Sequence, residues 1–258
     1  MAKKLIVGNW KMAPETAKEA ETKIAAMKDA LRLVKNAQVI ICPPTPFLEH
    51  LAHTFKSKGA TRIMFGTQNI AHEKIGAFTG EVSPGMLKDV GAEWVIVGHS
   101  ERRALGESDA LVMQKVTVAL KAGLSVILCV GEKERDEHGH YFKAIEEQLL
   151  ANIPQLSKAL LERLVLAYEP LWAIGEKAHH PATPEEVFST VIFMRKIMAE
   201  KFGKEFAMRV PVLYGGSVTT ENAASLLQHG GVEGLLVGRE SLQPKSFITI
   251  VQAAGSGK

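Results

Sequence analysis

The sequence predicts a single-domain α/β protein, a closed (β/α)8 barrel, and three observations carry that prediction. Eight short apolar runs, nearly all followed by a helix-period segment, recur at intervals of roughly thirty residues along the 258-residue chain. The runs are apolar throughout rather than alternating, which suits parallel strands covered on both faces. No composition shift or linker breaks the alternation. An open doubly wound sheet would be expected to carry a Gly-rich dinucleotide fingerprint early in the chain, and none is present. The barrel is expected to occupy residues 1–254, with 255–258 as a polar, flexible tail.

Each element follows from local chemistry. Leu5-Ile6-Val7 is the first run and ends at Gly8-Asn9-Trp10-Lys11. Pro14 is read as opening a helix, where its missing N–H costs nothing. Ala20, Ile24, Met27 and Leu31 then share one helical face. Val39 to Cys42 is stopped by Pro43-Pro44, and Pro46 to Lys58 reads as the second helix. Ile63 to Gly66 leads through Thr67-Gln68-Asn69 into a Gly-rich loop, Ala71 to Ser83. Met86 to Val90 is a short helix closed by Gly91. Trp94 to Gly98 runs into His99-Ser100-Glu101-Arg102-Arg103, and Leu111 to Ala122 is helical.

The second half repeats the pattern. Ser125 to Val130 ends at Gly131-Glu132, and Tyr141 to Asn152 is helical. Leu164 to Ala167 ends at Tyr168-Glu169, where Pro170 stops any continuation. Thr183-Pro184-Glu185-Glu186 reads as a capping box, with Thr183 as N-cap and Glu186 as its reciprocal acid. Val210 to Leu213 precedes Tyr214-Gly215-Gly216-Ser217 and a helix from Thr220 to Gln228. Leu235 to Val237 ends at Gly238-Arg239, and Phe247 to Ala253 closes the series.

Composition narrows the function. Hydrophobic residues make up 46% of the chain, enough for one large core, and no apolar run approaches a membrane span. The N-terminal MAKKLIVGNWKM lacks the long apolar core and small-residue cleavage site of a signal peptide. A net charge of +3 without a Lys/Arg block argues against nucleic acid. Cys42 and Cys129 sit in apolar runs and read as buried thiols in a reducing, cytoplasmic setting. The pairs His138/His140 and His179/His180 lack a carboxylate or cysteine at ligand spacing, so no metal is expected.

In such a barrel the C-terminal ends of all strands face one mouth, so the polar residues after each run are the site candidates. They are Asn9 and Lys11, Gln68 and Asn69, His99 to Glu101, Glu132, Glu169, Ser217, and the turns at Gly215-Gly216 and Gly238. Glu169 offers a base, His99 a hydrogen-bond donor, and Lys11 a fixed positive charge. The last two glycine turns offer exposed N–H groups, which suit a phosphate.

Six strings in order, NWKM, GAFTGEVSP, WVIVGHSERR, CVGE, AYEPLWAIG and YGGSV, resemble the triosephosphate isomerase family across almost the whole chain. That family is itself the type case for a carboxylate base paired with a neutral imidazole, so these roles are carried over by resemblance. The resemblance implies a TIM barrel that interconverts dihydroxyacetone phosphate and glyceraldehyde 3-phosphate, in glycolysis and gluconeogenesis, without a cofactor. Glu169 matches the base, His99 the electrophile that polarises the carbonyl, and Lys11 the cation beside the enediolate. Asn9 matches a substrate-binding donor and Glu101 a supporting acid. Phosphate contacts are implied at Gly175, Ser217 and Gly238, and a homodimer through the loop around Thr79, with Phe78 buried in the partner.

Two stretches depart from the family pattern. The hinge Glu176 to Pro181 is about two residues longer than usual and lacks a second glycine. Arg239 replaces the second glycine after the last strand, with its guanidinium expected in solvent. The alternative to an isomerase is a barrel that binds phosphorylated ligands without turnover. Retention of Lys11, His99 and Glu169 together speaks against it.

Overall fold

A computed structural model describes residues 3–56, 63–136, 138–174 and 180–255. Eight strands pair in parallel and in chain order, and the eighth closes on the first. They are β1 (Lys4–Asn9), β2 (Ala37–Cys42), β3 (Ile63–Thr67), β4 (Trp94–Val97), β5 (Ser125–Val130), β6 (Leu164–Tyr168), β7 (Val212–Tyr214) and β8 (Gly234–Val237). Closure is set by the register of β1 on β8, with Ile6 opposite Leu235 and Gly8 opposite Val237.

Helices fill the intervals among the described residues: α1 (Ala17–Leu33), α2 (Thr45–Lys56), α3 (Pro84–Asp89), α4 (Ser100–Ala104), α5 (Asp109–Lys121) and α6 (Tyr141–Asn152). They continue with α7 (Lys158–Leu161), α8 (Pro184–Phe202), α9 (Lys204–Arg209), α10 (Ala223–His229) and α11 (Pro244–Ala253). None of these helices is long and apolar enough to cross a membrane.

The two-residue strand period explains why the runs are apolar throughout. Leu5 and Val7 pack inside the barrel with Ile40, Cys42, Ile127 and Cys129. Their neighbours Ile6, Ile41 and Leu128 instead join the layer beneath the helices. Ala20, Ile24, Met27 and Leu31 are the buried face of α1, as the spacing predicts. Both cysteines are free and buried. Burial pushes the Cys42 thiol far up, and at Cys129 burial and then the neighbouring Glu169 charge do the same, so both are thiols rather than thiolates.

Several boundaries differ from expectation, each for a capping reason. Pro14 does not open α1. Thr16 does, because its side chain accepts from the Glu19 N–H. The helix expected from Thr220 begins at Ala223, since Thr219 and Asn222 bond each other's backbone and side chain and form the preceding turn. Val210 ends α9 rather than starting β7, which begins after Pro211. The capping box at Thr183 and Glu186 forms as expected. Gly91 takes φ +96°, the left-handed conformation that terminates a helix without a Cβ penalty. Beyond Gly255, the expected tail lies outside the described residues.

Candidate active site

The site begins with a strained lysine. Trp10 is buried and anchored by its indole N–H to the Ser241 carbonyl at 3.2 Å. Lys11, next to it, has φ +54°, a conformation costing roughly 1–3 kcal/mol outside glycine. Two bonds hold it there: the Lys11 N–H donates to Asn9 Oδ1 at 3.1 Å, and Gln68 Nε2 donates to the Lys11 carbonyl at 2.9 Å. The second Gln68 hydrogen reaches the Cys42 carbonyl, tying the ends of β1, β2 and β3 together. Lys11 Nζ pairs with Glu101 Oε1 at 2.5 Å.

After β4, Gly98 turns the chain at φ +71° and His99 caps α4. The Glu101 N–H donates to His99 Nδ1 at 3.2 Å, which requires a lone pair on that nitrogen. The imidazole proton therefore sits on Nε2, which lies 3.2 Å from Glu169 Oε1. The other Glu169 oxygen accepts from the Ser100 N–H at 3.0 Å. Glu169 is only 2% exposed. Its backbone is fixed by a bond from its own N–H to the Val130 carbonyl at 2.8 Å.

Gly215 explains why that carboxylate fits. A Cβ there would stand 2.9 Å from Glu169 Cγ, so only glycine leaves room for the side chain against the β7 turn. The Ser217 hydroxyl donates to the Ala173 carbonyl at 2.7 Å, and Asn222 Nδ2 holds the Ser217 carbonyl at 2.8 Å. Asn9, Lys11, His99, Glu169, Ser217 and Gly238 thus line one cavity of about 250 Å³. Arg239 is exposed on its rim.

Not every candidate converges there. Gly175 and the hinge residues 176–179 lie outside the described residues. Glu132 is buried away from the cavity, where its carboxylate accepts from Tyr168 and Trp172. Asn69 turns aside to accept from Lys115 Nζ at 2.7 Å. Sequence reasoning missed Asn222 and Ile174. Asn222 holds the Ser217 turn and Ile174 lines the cavity, but a polar residue inside a helix-forming stretch and an apolar one in a loop carry no signal of either part.

Fold and site together define a class: a parallel (β/α)8 barrel whose mouth holds a carboxylate, an imidazole and an ammonium around one cavity, with glycine turns beside it. The triosephosphate isomerase family model matches residues 4–254. The triosephosphate isomerase of Carboxydothermus hydrogenoformans is 41% identical over 256 residues, covering 98% of this chain and all of that one. That of Aquifex aeolicus is 41% identical over 251 residues, covering 96% and 98%. A crystal structure of triosephosphate isomerase from Bartonella henselae superposes with a TM-score of 0.83 at 35% identity, over 97% of this chain and 98% of that one. The chain belongs to the triosephosphate isomerase family.

Proposed function

We propose that this protein interconverts dihydroxyacetone phosphate and D-glyceraldehyde 3-phosphate, with Glu169, His99 and Lys11 as its catalytic residues. The observation that carries the reading is that these three residues, far apart in sequence, meet at one cavity beside the β7 and β8 turns. Glu169 takes a proton from the carbon bearing the hydroxyl of the ketose. Electron density moves onto the neighbouring carbonyl oxygen, which accepts a hydrogen bond from His99 Nε2. The enediolate so formed lies near Lys11; His99 gives its Nε2 proton to the former carbonyl oxygen and takes the hydroxyl proton from the neighbouring oxygen, and the proton held by Glu169 returns to the adjacent carbon, which gives the aldose. Glu169 is at present bonded to the Ser100 N–H and faces His99, so the base and the electrophile are within reach of a common substrate.

Asn9 supports substrate binding by holding the Lys11 backbone in place. Backbone N–H groups at Gly175, Ser217 and Gly238 are assigned to the phosphate, as oriented amides at turns suit an anion. A coupled assay with glyceraldehyde 3-phosphate tests the assignment. Turnover by the wild-type protein, with a large loss in Lys11→Met, is the expected result. Binding of inorganic phosphate without any turnover would instead make the protein a phosphorylated-ligand binder.

The reading includes a homodimer through the loop around Thr79. Met12 is 97% exposed, Leu105 77% and Phe78 42%, a heavy apolar load for free surface. Phe78, Thr79 and Leu105 also line a separate cavity of about 420 Å³ that another chain could fill. Sedimentation analysis is expected to give twice the chain mass for the wild type and the single-chain mass for Phe78→Asp. A wild-type monomer at micromolar concentration would overturn the dimer. A reducing cytoplasmic setting completes the proposal, supported by the two free cysteines.

A further inference from the structure

Glu169 sits between two side chains that share one acceptor. Tyr168 precedes it and Trp172 follows three residues later. The Tyr168 hydroxyl and the Trp172 indole N–H both donate to Glu132 Oε1, each at 2.8 Å. The Glu132 carbonyl also accepts from the Leu171 N–H at 2.9 Å. One residue on the loop after β5 therefore grips the chain on both sides of the proposed base.

Arg135, on the same loop, completes the grip. Its guanidinium carbon lies 4.6 Å from the Tyr141 ring centre and 5.3 Å from that of Trp172. Both separations are within cation–π range. Its Nη2 donates to Thr190 Oγ1 at 2.9 Å, and Nη1 lies 3.3 Å from Glu186 Oε1, which anchors the head on α8. Yet its Nε has no hydrogen-bond partner and stops 3.8 Å from Glu132 Oε1, and Glu132 Oε2 is equally bare. A purely structural arginine in so buried a place would be expected to satisfy its donors. Here the charge faces the carboxylate while the geometry is spent on the ring of Trp172.

We propose that Arg135 is a positioning residue for the isomerisation, holding Glu132 and Trp172 so that the backbone on both sides of Glu169 is fixed. The inference rests on the assignment of Glu169 as the base. Its electrostatics follow from the groups around Glu132 and Arg135: Tyr168 and Trp172 from β6 and the turn after it, Tyr141 on α6, Tyr214 on β7, and Glu186 on α8 against the guanidinium. Burial pushes the Glu132 carboxyl up, and the donors and Arg135 only partly offset this. Without the guanidinium the carboxyl rises further, protonates at higher pH, and becomes a poorer acceptor for Tyr168 and Trp172.

Steady-state kinetics of Arg135→Met and Arg135→Lys across pH test this. For Arg135→Met, kcat is expected to fall about tenfold with KM nearly unchanged, as for a group acting only on the reacting geometry. The acid limb of kcat is expected to move up, because the Arg135 charge that partly offsets burial of Glu132 is lost. Arg135→Lys is expected to restore the limb but not the full kcat, because an ammonium keeps the charge without the planar stack. A wild-type kcat and pH profile in Arg135→Met overturns the proposal, as does a loss confined to KM. If Arg135→Met does not fold, Arg135→Lys decides: reduced kcat at constant KM supports the role, and wild-type kcat ends it. Glu169→Gln assayed alongside separates the two levels. Retained activity in that variant defeats the base assignment, whereas loss there with a wild-type Arg135→Met defeats only the positioning role.

Discussion

Glu169→Gln is expected to lower kcat by about 10²–10⁴-fold, the usual contribution of a positioned general base. The substitution is close to isosteric. A glutamine oxygen can still accept from the Ser100 N–H, and the amide fills the same space beside Gly215. The thermal midpoint should therefore stay near that of the wild type while turnover collapses. What disappears is the ability to hold a proton taken from carbon. Equal rates in the two proteins, measured in the coupled assay at saturating substrate, would remove Glu169 from its assigned role.

Glu107→Gln is expected to cost about 3–5 kcal/mol of stability, read as a drop in the urea midpoint, because it strips a buried ammonium of its counter-charge. Lys115 Nζ and Glu107 Oε1 are 2.5 Å apart, and both side chains are only 4% exposed. Arg102 Nε adds a bond to the same oxygen at 2.7 Å. Burial alone would raise the Glu107 carboxyl. The bonds from Lys115 and Arg102 more than offset it, and the group lies below its ordinary range. A depressed carboxyl stabilises the fold above its unfolded pKa of about 4.3 and loses that contribution as pH falls through the folded value. The wild type should thus shed stability in acid, below about pH 4.3, and Glu107→Gln should show a shallower acid slope. An unchanged midpoint in the variant would mean that the cluster is solvated in solution.

The two departures from the family pattern bear on these expectations differently. Arg239 stands on the cavity rim, exposed, and leaves the neighbouring Gly238 backbone beside the cavity. The long hinge falls mostly outside the described residues. Of it, His180 and Pro181 are described, and the His180 ring meets that of Trp172 edge-on at 5.4 Å. That contact joins the two ends of the loop following Glu169 through the same tryptophan that Glu132 and Arg135 hold.

The sequence by itself determined the architecture and the strand-end residues. Strands buried on both faces must be apolar throughout, helices must show one apolar face, and caps such as Thr183-Glu186 follow from unpaired N–H groups in the first turn. These are local constraints, so they can be read locally. Motif order then supplied the proposed roles of Lys11, His99 and Glu169, which residue type alone would have left as ordinary polar loop residues. Tertiary structure decided which polar residues act together. Glu132 and Glu169 both follow apolar runs, yet one is turned towards Tyr168 and Trp172 and the other into the cavity. Gln68 holds the strained Lys11 backbone from the end of β3, two strands away, and Arg135 grips Trp172 from the neighbouring loop. Such pairings depend on strand register and barrel closure, which bring distant residues into contact, and no local pattern encodes contacts of that kind.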